Sequence, residues 1–295
     1  MALRRPLALI AGLFRELPLG DAIPIEAGGT GVTTAAAARD ALAVREKLSA
    51  ARTYYVRTDG SDSNDGMSNT AGGAFLTIQK AVDVASALDN GGQAITIQVA
   101  DGNYPAALVG KSFVGSGQII VQGNVTTPAN VTIAISGTVF TCGDGITGVY
   151  LIRGFTLSSS SSVCLSCGRG SAIQFSNIVF GASAGHIATS GGVVRAVGPY
   201  SIAGGGAYHA NSAYNGLVYL SGVAITLVGT PAFSLAFVRA EVMALISAFN
   251  VTTTGSATGK RYIVADNSVI FVNGAGETFL PGNAAGTNDG TGVYR

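Results

Sequence analysis

Apolar residues in the middle of this chain fall in short runs that alternate with Ser, Thr, Gln and Gly, the period-2 signature of half-buried strands. The runs themselves recur. Val99 in "ITIQVADG", Val121 in "IIVQGN", Ile152 in "YLIRGFTL", Phe175 in "IQFSNIVF", Val197 in "VRAVGPYSI", Leu220 in "VYLSGVAI" and Val242 in "RAEVMALI" lie 22 or 23 residues apart, except for a longer step from Val121 to Ile152. A period of that size suits one coil of a parallel β-helix. A finer echo supports it: "CGDGITGVYLIRGFTL" and "CGRGSAIQFSNIVF" each run Cys-Gly-charge-Gly into two strands. Seven such coils, stacked at about 4.8 Å, predict a trunk on the order of 34 Å long.

Two segments carry helical spacing instead. "TAAAARDALAVREKL", from Thr34 to Leu48, is rich in strong helix formers, with Thr33 or Thr34 placed to cap it. "FLTIQKAVDVASAL" puts Phe75, Ile78, Val82 and Ala85 on one face. A solenoid must cover its terminal coil, and this second helix is placed to do so at the N-terminal end. Just before it, Asp59, Asp62 and Asp65 crowd among Gly, Ser and Asn. "DSNDG" lacks the downstream Glu of an EF-hand loop, so these acids are expected to solvate a turn rather than hold calcium.

These elements predict an all-β chain with three parts. Residues 1–52 form an N-terminal arm and short helix, 53–258 a capped parallel β-helix, and 259–295 an extended C-terminal tail. Only 11% of residues are charged, Gly reaches 42 and Trp is absent, which fits stacked coils better than a helical globule. No run of about eighteen apolar residues suggests a membrane span. "RRPLALIAGLF" is cut short by Arg15 and Glu16 and is not read as a signal peptide. A formal net charge of +1 gives no footprint for nucleic acid. Three cysteines argue against a disulfide framework.

"YYVRTDGSDSNDGMSNTAGGAFLTIQKAVDVA" followed by "ITIQVADGNY" resembles the opening of right-handed parallel β-helix proteins of the pectate-lyase-like superfamily. "RRPLALIAGLFRELPLGD" with "IEAGGTGVTTAAAARDAL", and the C-terminal "GKRYIVADNSVIFVNGAGETFLPGNAAGTNDGTGVY", are similar to the flanks of phage and prophage tail fibres or tailspikes. The resemblance implies a homotrimer made in the host cytoplasm and carried on the virion tail. It implies docking on a tail or baseplate protein through the arm, with Arg4, Pro6, Leu17 and Pro18 as attachment residues. It also implies recognition of a bacterial surface polysaccharide or lipopolysaccharide. It leaves open whether the glycan is cut, because binding and cleaving members share the fold.

Glycoside cleavage uses two carboxylates about 5 to 9.5 Å apart. Asp144 is the one acid between Asp101 and Glu241, so the trunk reads as an adhesin. A depolymerising tailspike is the alternative, and a purely architectural collar or baseplate fibre the next. Asp144 is expected to pair with Arg169 at a stacked turn. Cys142, Cys164 and Cys167 lack a clear fourth zinc ligand and read as small apolar side chains; no metal or cofactor is expected. His186 and His209 are expected in loops or at the surface. The aromatic and amide-rich "GPYSIAGGGAYHANSAYNGLVYL" is the expected glycan platform, through Tyr200, Tyr208, His209, Asn211, Tyr214 and Asn215. The competing reading places these tyrosines in subunit contacts.

Overall fold

The computed structural model describes residues 7–10, 13–16 and 30–295. It divides into two compact units, Met1–Lys47 and Leu48–Arg295. In the first, Leu7–Ile10 and Leu13–Glu16 form an antiparallel pair. Helix α1 spans only Ala35–Ala41, with the Thr34 hydroxyl accepting from Ala37 N–H at 3.1 Å. The helix expected to reach Leu48 stops early because Ala43 adopts φ 52°, and the N–H groups of Ala43 and Val44 turn back to the carbonyls of Asp40 and Arg39. That is a Schellman closure formed without glycine. The expected attachment residues Arg4, Pro6, Leu17 and Pro18 lie outside the described residues.

The second unit is a parallel β-solenoid whose central coils each contribute to three faces. One coil illustrates the path. Residues 149–153 of strand Val149–Ser159 lie on the first face, and the chain bends at Gly154, φ 79°. Residues 155–159 continue on the second face, and Val163–Cys167 forms the third. In the next coil the same bend falls at Asn177, φ 50°. A left-handed residue is required at this corner, and Gly and Asn are the types that adopt it at least cost.

Between coils the register stacks like on like. Ile97, Val121, Ile152, Phe175 and Ala196 form one continuous interior column, and Cys142 lies beside Cys167. Coil length between stacked partners varies from 21 residues, Ile173 to Val194, to 43, Arg52 to Ile95, where the helix Ile78–Ser86 is inserted; Ile119 to Tyr150 takes 31. The expected centres Val121, Ile152 and Phe175 are true stacking partners. Val99 instead pairs with Val56, Val197 is an exposed corner residue at 44%, and Val242 sits in a left-handed turn at φ 54°. Insertions moved those positions out of phase with the simple period.

Helix α2, Ile78–Ser86, covers the N-terminal coil through Ile78, Ala81, Val82, Ala85 and Ser86, all buried, with Phe75 beside them. Asp62 fixes its start by accepting from the N–H groups of Leu76 and Thr77 and the Thr77 hydroxyl, at 2.7–3.0 Å. Asp65 and Asp89 likewise accept from turn N–H groups, as the turn reading expects. The Gln79 amide closes the third face: its Oε1 accepts from Val109 N–H at 2.7 Å and its Nε2 donates to Val109 C=O at 3.1 Å. A side chain thus takes the place of the missing neighbour strand at the sheet edge, Leu108–Val109.

The stack does not stop at residue 258. Tyr262–Val264, Val269–Phe271, Thr287–Asn288 and Val293–Tyr294 all pair in parallel with the coils before them, and Tyr294 stacks on Tyr262 at 3.9 Å. The segment expected to be an extended tail is therefore coiled. Its Gly- and Asn-rich turns hide strands only two or three residues long.

Candidate binding surface

The expected platform does not assemble. Tyr200 and His209 are enclosed in the core. With Cys164, His186 and Phe237, His209 belongs to a column that the third-face ladder passes over: Val163 pairs with Gly185 and Leu165 with Ile187, leaving Cys164 and His186 between. The ladder is interrupted there, and neighbouring residues such as Cys164 and Leu165 are both buried. Strict alternation fails at this column, which is why His186 and His209 are core rather than loop residues.

The polar atoms inside form one directed chain. The Gly181 carbonyl can only accept, so His186 donates to it from Nε2 at 3.1 Å. The freed Nδ1 accepts from His209 Nδ1–H at 3.1 Å, and His209 Nε2 accepts from the Tyr200 hydroxyl at 2.8 Å. Every ring nitrogen is satisfied while both imidazoles are neutral. Phe180, Phe233 and Phe237 pack around the rings, with His209 stacked on Phe237 at 5.0 Å. Burial lowers the His186 pKa to about 4. Burial, with the neighbouring His186, holds His209 well below its ordinary value.

The other platform residues are spread apart. Tyr208 lies across the open Cα of Gly185, where an added Cβ would stand 2.3 Å from its ring. Asn211 stacks between Ala188 and Arg239 on the outside of the third face, and its Oδ1 is enclosed without a donor. Tyr214 and Asn215 form an exposed left-handed turn.

The trunk's acids are engaged as structural acceptors. Asp101 accepts from the amides of Asn124 and Asn130, and Glu241 pairs with Arg239. Asp144 does not form the expected ion pair; it accepts the Arg169 backbone N–H at 2.8 Å, tying one turn to the next. All three cysteines are buried, and desolvation raises Cys142 and Cys164 to about 12 and Cys167 to about 11. Among the described residues no group of three His, Cys, Asp or Glu could hold a metal ion.

A different surface does gather recognition chemistry. The strands of the first face contain no Asp or Glu, and their outward positions form two adjacent columns. One runs Gln98, Gln122, Arg153, Ser176; the other runs Leu151, Gln174, Arg195, Tyr219. Gln122 donates to Gln98 at 2.7 Å, and Gln118 donates to Gln174 at 3.0 Å, spanning the coil that carries Leu151. The Arg195 guanidinium lies 4.4 Å over the Tyr219 ring. At one end, Gln98, Gln122, Asp101, Asn124 and Asn69 line a cleft of about 310 Å³. Sequence reasoning missed this strip although a signal was present: Gln98, Gln122 and Gln174 each interrupt an apolar strand in "TIQV", "IVQG" and "AIQF". Comparison with protein-family models, with curated proteins and with solved structures gives no match.

Proposed function

We propose that the chain is an adhesive, structural tail-fibre or tailspike protein of a phage or prophage: a right-handed solenoid that assembles as a homotrimer, docks on the virion tail through its N-terminal arm, and binds a bacterial surface glycan without cutting it. The observation that carries the adhesive part is the first-face strip. Side-chain amides, two guanidinium groups and an aromatic ring, all set on one parallel sheet, are the groups that meet sugar hydroxyls and C–H faces. Binding over cleaving is favoured because Asp101, Asp144 and Glu241 already serve as acceptors inside the scaffold, whereas glycosidic catalysis needs two acids free to work together. In a trimer, three copies of a weak site add through avidity.

The test combines light scattering of the purified chain with incubation on host capsule or lipopolysaccharide. The expected results are a trimer and saturable binding with no new reducing ends or ultraviolet-absorbing unsaturated sugars. Release of either product refutes the non-cutting reading, a monomer refutes the trimer, and a blank glycan array favours a purely architectural role.

A further inference from the structure

Building on the adhesive reading, we infer that the first-face strip takes an acidic polysaccharide, its anionic groups held by Arg153 and Arg195. Both arginines point outward from a face whose strands contain no carboxylate. Among the described residues neither is in an ion pair. The Nε–H of Arg153 is enclosed and has no acceptor. Buried donors are almost always paired, and leaving one unmade is costly, so the protein leaves this guanidinium incompletely satisfied, and its terminal nitrogens, which make no hydrogen bond within the described residues, are the ones open to an acceptor from outside. Guanidinium is the group best shaped for that acceptor, since its fork matches a carboxylate or phosphate in two parallel hydrogen bonds.

The spacing adds a constraint on the ligand. Arg153 sits beside Ser176, and Gln174 of that same strand sits beside Arg195. The two guanidinium-bearing positions are therefore two coils apart along the axis, about 10 Å, a span that an extended disaccharide covers. The Gln174 amide, which accepts from Gln118, stands between them with its Nε2 donors unused by the protein. Tyr219, under Arg195, offers a ring to sugar C–H groups. A polymer with one anionic group per disaccharide, lying along the solenoid, meets all of these groups at once. Asp101, the nearest acid at the end of the strip, is held by Asn124 and Asn130.

The test uses the full chain immobilised for biolayer interferometry, with hyaluronan (one carboxylate per disaccharide), polygalacturonate (one per sugar), neutral dextran and duplex DNA as probes. Arg195→Gln is the primary variant because Arg195 is exposed; Arg153→Gln is second, and Tyr214→Ala, on a different corner, is the control. Circular dichroism checks each fold. The expected result is binding to hyaluronan ahead of dextran, weakened by salt, at least tenfold weaker in Arg195→Gln, lower still in the double variant and unchanged in Tyr214→Ala. Equal binding to dextran, or hyaluronan binding untouched by both arginine variants, overturns the acidic class while leaving glycan adhesion standing. Tighter binding to DNA than to any glycan overturns it in favour of a general polyanion surface. Binding to none of these probes, nor to host surface glycan, overturns the inference and the adhesive reading together.

Discussion

Acidification should unlock the core at the histidine chain. With both rings neutral, each imidazole nitrogen has a partner of the right kind. Protonating His186 at Nδ1 sets N–H against N–H across the 3.1 Å contact, protonating His209 at Nε2 sets N–H against the Tyr200 O–H at 2.8 Å, and either places a charge among Phe180, Phe233 and Phe237. Among the described residues no carboxylate faces the pair: the groups acting on it are the Gly181 and Gly204 backbone and the other imidazole, with the Tyr200 hydroxyl bonded to it. In the unfolded chain both histidines titrate near 6.5; in the fold His186 titrates at about 4 and His209 is also depressed. Between those values the unfolded state binds more protons, so stability is complete above pH 6.5 and falls as the pH drops toward 4. At about 1.4 kcal/mol per pH unit, His186 alone accounts for about 3 kcal/mol, and His209 adds in the same direction. Urea unfolding at pH 7.5, 6.5, 5.5 and 4.5 measures this, with the His186→Phe/His209→Phe double variant as the reference that lacks the titrating pair. Asp59, Asp83 and Asp289 are all depressed below their ordinary value of 3.8, so they act below this window. The wild type should lose about 3 kcal/mol or more relative to the variant across it. Parallel curves, differing by less than about 0.5 kcal/mol, would refute the neutral, directed chain.

Other expectations follow from the same geometry. Tyr200→Phe leaves the buried His209 Nε2 without a donor and should cost about 1–3 kcal/mol in urea unfolding at pH 7.5; no loss would mean that hydrogen bond contributes nothing. Gln79→Ala uncovers the N–H and C=O of Val109 at the end of the third face, so light scattering should detect concentration-dependent association together with a loss of about 1 kcal/mol. Cys142, Cys164 and Cys167 should resist iodoacetamide at pH 8 in the folded protein and react in urea, read by mass spectrometry, because burial keeps their thiols protonated.

The parts of the fold that were legible in the sequence were those where one physical rule acts alone. Val121, Ile152 and Phe175 are true stacking partners because each is read off its own alternating strand, so even the 31-residue step from Val121 to Ile152 does not displace them. Ile78, Val82 and Ala85 share a helical face and bury it, whereas Phe75, expected on that face, is buried just before the helix in a β-bridge to Val56. Asp62 and Asp65 before them cap turns, as Asp among Gly and Ser does elsewhere, while Asp59 pairs with Arg57. Legibility failed where two rules compete. Tyr200 and His209 look like loop residues in a Gly-rich stretch, yet His209 is buried where the third-face ladder is interrupted, and a complete hydrogen-bond chain lets the polar atoms remain there. The coils beyond residue 258 were hidden because strands of two or three residues show no period of their own; the coil below sets their register. The arginine and glutamine strip was unreadable without that register, since Arg153, Gln174 and Arg195 become neighbours only through coil stacking.

The most direct test of the adhesive account is a structure of the protein bound to a glycan that it retains. The account predicts an intact polymer along the first face, with anionic groups within hydrogen-bond distance of Arg153 and Arg195 and a sugar face against Tyr219. A glycan seated on the Tyr214–Asn215 turn, or a cleaved product held between two carboxylates, would contradict it.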